Sequence, residues 1–304
     1  MKHSMTRRAF NWQMGFAAAG AALMPVSLFA AKKRKIQIGY TGITWPNSKQ
    51  DDAIHDIGGL GFYGYETFGE VLTKKDADGN LAQELEQAHL PLISGYCTIN
   101  LTDTTKHADE LAKAVTWAKL IKKYKGRVFV LGPNQVKRDT YVYADHKAYI
   151  VSMLNDTAHA VAQEGLTPVL HQHTGTCVET REETYATLDA VDTTVLKFGP
   201  DVGQLMKGGS DPVKVVKDYL PLVQHMHLKD YDGKDDRLAD YCPLGQGKVD
   251  VPAILDVMEG RKLQGMIMVE LDNLNPRNPY PTPSFDLAKA SADYLKKIGV
   301  KLRS

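Results

Sequence analysis

Four short apolar runs in the second half of the chain each end in a side chain able to ligate a metal. They read Val169-Leu170-His171-Gln172-His173, Leu196-Lys197-Phe198-Gly199-Pro200-Asp201, Gln224-His225-Met226-His227 and Met266-Ile267-Met268-Val269-Glu270. Imidazole nitrogen and carboxylate oxygen in one set suit a divalent cation such as Mn, Co, Zn, Fe or Mg, with positions left open for substrate oxygens. In an extended strand the two imidazoles of His171 and His173 face the same way, as do those of His225 and His227. One member of each pair is then a metal ligand, and the other touches substrate or orients the first. Glu66 also ends an apolar run and is a candidate base or substrate ligand. Lys229 directly follows the third run and could stabilise a developing oxyanion. Asp272, two residues beyond Glu270, is a substrate contact or a loop cap. Gly245-Gln246-Gly247 either shapes a hydroxyl-binding loop or is a plain turn.

Residues so spaced need elements that bring them to one place. Strand-like runs followed by helical patterns recur eight times. The first four are Ile36–Tyr40, Phe62–Glu66, a run around Leu90–Ser94, and Arg127–Leu131; the four ligand-bearing runs complete the set. Between them lie amphipathic stretches. Lys106–Lys123 is apolar at Leu111, Ala114, Val115, Ala118 and Ile121, a helical spacing. His146–Glu164 and Pro212–Leu222 read the same way. Eight strand–helix units need about 250 residues, so the pattern predicts one (β/α)8 barrel, a TIM barrel, over residues 32–304, with an open doubly wound sheet as the alternative. Ligands at the C-terminal ends of strands five to eight, neighbours in a barrel, then converge on one rim. The strand-to-helix loops are longest after strands seven and eight, Asp230–Val249 and Leu271–Pro283, where they would frame a substrate.

The chain has 304 residues, 43% of them hydrophobic, enough for one buried core. Its net charge is +1, and the first thirty residues hold Lys2, Arg7 and Arg8 and no acid. Such a surface has no electrostatic footprint for nucleic acid. Cys97, Cys177 and Cys242 are odd in number and far apart, which argues for separate thiols rather than a disulfide framework. Residues 1–31 read as an export signal. Thr6-Arg7-Arg8-Ala9-Phe10 precedes an apolar run from Met14 to Ala31, and Lys32-Lys33-Arg34-Lys35 follows. The paired arginines resemble a twin-arginine signal, which predicts a periplasmic protein. The run is shorter than a spanning helix and holds Pro25, so a retained membrane anchor is the lesser alternative.

At the ligand-bearing segments the chain resembles the xylose isomerase-like barrel superfamily of sugar isomerases and epimerases, over roughly residues 36–300. His171-Gln172-His173-Thr174-Gly175-Thr176 with Val178-Glu179-Thr180, Gly209-Ser210-Asp211-Pro212, and His225-Met226-His227-Leu228-Lys229-Asp230 are similar to the inosose dehydratase branch. The resemblance implies metal ligands at His171, Asp201, His227 and Glu270. The superfamily's first ligand is usually Glu, so His171 and His173 both remain open for strand five. Relatives usually carry a substrate-contacting His where this chain has Gln204. Gln can hydrogen-bond a hydroxyl but carries protons poorly. Some exported members of the superfamily act on 3-keto-glycosides, eliminating the aglycone after a partner dehydrogenase has oxidised C3, and dimers are common among its members; the resemblance thus implies a possible dehydrogenase partner and a possible homo-oligomer.

The chemistry expected is proton abstraction next to a ketone on a small sugar, assisted by the cation. Candidate bases are Glu66, His173 and Glu270; Gln204, His225 and Asp272 would contact substrate. Loss of a β-leaving group gives a lyase, the favoured outcome. Reprotonation gives an isomerase or epimerase. A phosphorylated substrate is disfavoured, because no Gly-rich phosphate loop with a basic cluster is present. A multi-metal nuclease would need more ligands and a basic surface. The rival class is a sugar-binding barrel that has lost catalysis.

Overall fold

A computed structural model of the protein describes residues 32–233, 241–272 and 283–303. The leader and its expected export signal lie outside the described residues, as do Pro276, Pro279 and Pro281 of the second long loop. Eight short strands line the centre: β1 (Ile38–Thr41), β2 (Tyr65–Phe68), β3 (Leu92–Ile99), β4 (Val128–Pro133), β5 (Thr167–Leu170), β6 (Lys197–Phe198), β7 (Met226–Leu228) and β8 (Ile267–Val269). All pair in parallel, in the order β6-β5-β4-β3-β2-β1-β8-β7. Between β6 and β7 the ladder thins to single bridges, Phe198 to Val223 and Asp201 to His227. There the Gln224 N–H donates to Phe198 O at 3.0 Å and the His227 N–H to Pro200 O at 2.9 Å. The result is a nearly closed (β/α)8 barrel, as the sequence pattern predicts, and not an open sheet.

Its helices are α1 (Gln50–Gly59), α2 (Gly69–Asp78), α3 (Leu81–Gln87), α4 (His107–Lys123), α5 (Tyr143–Gln163), α6 (Arg181–Leu188), α7 (Val202–Lys207), α8 (Pro212–Asp218), α9 (Val251–Met258) and α10 (Ser284–Lys297). Helix α4 buries Ala114, Trp117, Ala118 and Ile121, the i, i+3, i+4, i+7 spacing of one helical face. Local chemistry sets several helix starts on the ligand-bearing side. Thr180 and Glu183 form a reciprocal capping box on α6, Asp211 caps α8 with Pro212 in its first turn, and Asp250 caps α9. The stretch expected as one helix from Pro212 to Leu222 ends at Asp218 and continues as a separate 3-10 turn, Leu220–Leu222. Pro221 has no N–H to extend the helix and crowds the residue before it.

Two boundaries differ from expectation in ways that matter. The second strand begins at Tyr65 rather than Phe62, because the Phe62 N–H donates to Ile57 O and closes the end of α1. Strands five and six stop before His171 and Asp201, so both candidate ligands sit in the first residues of their loops. Among the described residues Cys97, Cys177 and Cys242 form no disulfide. Among the described residues no helix is long and apolar enough to cross a membrane.

Candidate metal centre

Strand alternation sends His225, His227 and, just beyond β7, Lys229 into the barrel, where all three are fully buried. Asp201 is brought beside His227 by the thin seam between β6 and β7. It also caps α7: its Oδ1 accepts the Gln204 N–H at 2.9 Å, which fixes the carboxylate and leaves Oδ2 for other partners. His171 Nε2 lies 4.0 Å from that Oδ2, and the rings of His171 and His227 have centroids 4.5 Å apart. His227 Nδ1 lies 2.9 Å from Glu270 Oε2. Four side chains that are far apart in sequence thus meet in one buried cluster.

On strand five it is His171 that lies beside Asp201 and His227. Neither of its ring nitrogens has a hydrogen-bond partner among the described residues, although both are buried. Unpaired buried nitrogen is costly. Burial and the neighbouring His227 push its pKa well below the ordinary histidine value, so the ring is neutral and its lone pair is free. The donor set fits a divalent cation by this test. His173 points elsewhere. The Gln204 Oε1 accepts from the Thr174 hydroxyl at 2.6 Å, the Tyr241 hydroxyl at 2.5 Å and the Thr174 N–H at 3.3 Å. Three donors on one atom fix the amide's orientation. Its NH2 therefore donates to His173 Nε2 at 2.8 Å, while His173 Nδ1–H donates to Thr174 O at 2.7 Å. Both nitrogens of His173 are committed, so the expected base at this position is replaced by a structural link. Gln204, expected to meet substrate, is 1% exposed and spends its amide on the same network.

His225 is likewise not placed to touch substrate. Its Nδ1 accepts the Met266 N–H at 3.2 Å and its Nε2 donates to Glu66 Oε2 at 2.9 Å. Glu66 also accepts from the Ser94 hydroxyl on Oε2 and meets His227 Nε2 at 2.7 Å through Oε1. Burial alone would raise the Glu66 pKa; the facing His227 and His225 outweigh it and hold the carboxyl below the ordinary range. For His227, burial opposes the charge, but Glu270 and Glu66 on its two sides prevail and raise it well above the usual value.

Lys229 is the largest surprise. Instead of facing solvent or standing free, it lies 2.6 Å from Glu270 Oε1, 2.9 Å from Asp272 Oδ2 and 3.1 Å from Asp201 Oδ2, with its ammonium 4.7 Å from the centre of the Tyr241 ring. Burial works against the charged form; Asp201, Asp272 and Glu270 outweigh it and raise the pKa well above the lysine norm. In Glu270 burial is overcome by His227 and Lys229, and the carboxyl is held well below its usual range. Asp201 is the exception, because there burial wins over Lys229 and raises it. Room for the lysine stem comes from Gly203, where an added Cβ would stand 2.8 Å from Lys229 Cγ.

Several contributors were not legible as such in the sequence. Tyr241 arrives on a two-residue ribbon, Tyr241–Cys242, antiparallel to Asp230–Tyr231. Asp230, fully buried, accepts the backbone N–H groups of Tyr231, Gly245, Gly247 and Val249. The Gly245-Gln246-Gly247 segment is thus a turn pinned by Asp230 rather than a hydroxyl-binding loop; a Cβ on Gly247 would come 2.2 Å from Asp230 Oδ1. Tyr96 sets its ring edge against His171 at 5.2 Å and, with Phe68, Glu66 and Glu270, lines a narrow cavity at the barrel mouth.

A parallel barrel whose strand ends gather imidazoles and carboxylates on the C-terminal rim has the layout of a barrel enzyme site. The chain belongs to the xylose isomerase-like TIM barrel family, whose model matches residues 38–298. An inosose dehydratase of Clostridium tetani is 23% identical over 278 residues, spanning 79% of this chain and 91% of that protein. The solved structure of the IOLI protein with a bound zinc atom superimposes with a TM-score of 0.71 at 16% identity, covering 87% of this chain and 98% of its own. The apo structure of 3-keto-D-glucoside 4-epimerase from E. coli gives a TM-score of 0.65 at 15% identity, covering 87% of this chain and 99% of its own.

Proposed function

We propose that this protein is a divalent-metal-dependent lyase that acts on a keto-sugar or keto-glycoside by α-proton abstraction and β-elimination. The observation that carries the reading is the buried group His171, Asp201 and His227, with Glu270 Oε2 against His227 Nδ1 and both His171 nitrogens unpartnered among the described residues. The dehydratase relative, similar over most of its own length, supports the lyase direction. Those four side chains hold the cation, which when bound supplies Lewis-acid polarisation of a ketone and its neighbouring hydroxyl. Both nitrogens of His173 are committed to its network and Glu66 Oε2 is held by the Ser94 hydroxyl and His225, so Glu270, which lines the cavity together with Glu66, is the base proposed to take the α-proton. Lys229 supplies positive charge beside the oxygen that becomes anionic. Asp272 holds Lys229 and remains partly exposed, which suits a substrate contact. The cation is Mn, Co, Zn or Mg. Export to the periplasm, with a dehydrogenase supplying the keto group, belongs to the same proposal.

Metal analysis of the purified protein separates an enzyme from a sugar-binding barrel: less than about a tenth of an equivalent favours the binder. NMR in D2O with a 3-keto-glucoside, an inosose and a free ketohexose reads the chemistry. Released aglycone or water is the expected result. Solvent deuterium gained without bond cleavage means an isomerase or epimerase. A protein that exchanges no α-proton in any of the three refutes the mechanism.

A further inference from the structure

The cavity beside Glu270 is walled by Thr41 and Ile43 at the end of β1, by Glu66, Thr67 and Phe68 of β2 and by Tyr96 of β3, and its volume is about 10 Å3. That is room for one oxygen-sized group. The Thr41 hydroxyl is buried there and has no hydrogen-bond partner among the described residues. We propose that Thr41 is a specificity-determining residue, whose hydroxyl takes one hydroxyl of the sugar while the carbon bearing it settles against Ile43 and Phe68. The inference rests on the keto-sugar reading given above and adds to it a residue with no part in holding the cation.

The neighbouring hydroxyls are spent elsewhere. Gln50 Oε1 accepts the Thr67 hydroxyl at 3.0 Å and the Tyr65 hydroxyl at 2.5 Å, while the Gln50 NH2 donates to Gly42 O at 3.0 Å and Trp45 O at 3.3 Å. The Thr44 hydroxyl donates to Leu271 O at 2.9 Å, which ties the turn after β1 to the residue that follows Glu270. The Ser94 hydroxyl ends on Glu66 Oε2. The Phe68 and Tyr96 rings meet edge to face with centroids 5.5 Å apart. These contacts fix the cavity walls and leave the Thr41 hydroxyl out.

A buried hydroxyl without a partner is unfavourable, and a ligand that supplies the partner removes that penalty. Water suits the place poorly. It wants two to four polar contacts, and Ile43, Phe68 and the Tyr96 ring give none. A sugar carbinol brings one oxygen on one carbon, which matches a single hydroxyl set among apolar walls. A threonine hydroxyl donates and accepts, as a sugar hydroxyl does. A carboxylate or phosphate would instead face Glu66 and Glu270 on the same walls. A site built to hydrogen-bond a substrate hydroxyl discriminates against the analogue that lacks it.

The test titrates the full-length protein, with zinc or manganese present, with a 3-keto-glucoside and its 2-, 4- and 6-deoxy forms. In protein labelled with 13C at threonine methyls, the parent sugar is expected to shift the Thr41 resonance. Thr41→Val keeps the side-chain shape without the hydroxyl. Its affinity for the parent sugar is expected to fall roughly tenfold, whereas one of the deoxy sugars binds wild type and variant alike, and Thr41→Ser keeps wild-type affinity. Without sugar, Thr41→Val should melt no lower than wild type, because no bond is lost. A variant of unchanged affinity for the parent, a loss shared by all three deoxy forms, or a lowered melting temperature that reveals a structural partner overturns the role of Thr41 alone. A Thr41 methyl that stays in place while the sugar binds does the same, even where the variant does not fold. Wild-type protein that binds none of the four sugars overturns this inference and the keto-sugar reading together.

Discussion

Replacing Lys229 by Met removes one ammonium and keeps most of the stem. In the native protein that ammonium touches Glu270, Asp272 and Asp201 at 2.6, 2.9 and 3.1 Å, and neither Lys229 nor Asp201 has exposed side-chain surface. The variant keeps two buried carboxylates with His227 as their nearest remaining cation. Removing one partner of a buried ion pair costs roughly 3–5 kcal/mol. At about 2–4 °C per kcal/mol for a domain of this size, the cation-free variant should melt roughly 6–20 °C below wild type. The pH dependence has a definite sign. Asp201 is already raised by burial, and loss of Lys229 raises it further. A folded-state pKa above the unfolded one means that the folded protein binds the extra proton, so the deficit is greatest at neutral pH and shrinks as pH falls through the raised value. A divalent cation on the same carboxylates replaces the missing charge. Binding at a hundred times Kd stabilises by about 2.7 kcal/mol, more where metal and ammonium no longer compete. Zinc or manganese should therefore raise the melting temperature of Lys229→Met more than that of wild type, as read by scanning calorimetry across neutral and mildly acid pH with and without metal. A variant that melts with wild type at neutral pH without metal, or whose deficit grows towards acid, refutes the reasoning.

His171→Ala should abolish metal retention after dialysis, whereas His173→Ala should keep the metal; the reverse pattern would reassign the strand-five ligand. Asp230→Asn turns one of two acceptor oxygens into a donor facing buried N–H groups, at a cost of roughly 1–3 kcal/mol for each group left unpaired; hydrogen exchange should speed up at Gly245, Gly247 or Val249 while metal content holds. Metal affinity should rise with pH, because His227 is held protonated between Glu66 and Glu270 and must release a proton to ligate; calorimetric titration in buffers of different ionisation enthalpy counts that proton. Gly203→Ala places a Cβ 2.8 Å from Lys229 Cγ and should cost roughly 1–3 kcal/mol by overpacking, read as a lowered melting temperature.

Much of this protein was determined by the sequence taken alone. Apolar runs alternating with helical periodicity specify a barrel, since each strand must bury its faces and each helix one stripe. Ligand residue types at four successive strand ends specify a rim cluster, because parallel strands put all their C-terminal ends on one side. Tertiary structure decided the rest. Strand parity placed His171 and His173 alike; only the turn after β5, with Gln204 and Tyr241 in reach, sends His173 away from the cluster. Local pattern left Lys229 open between a solvated charge and an oxyanion partner, yet three carboxylates from other segments bury it. Glu66 read as a candidate base or substrate ligand, but in the barrel Ser94 and His225 hold its Oε2 and His227 faces its Oε1. A side chain's type is written in the chain, but its protonation and its partners depend on which distant groups share its low-dielectric surroundings, and those neighbours exist only once the barrel has closed.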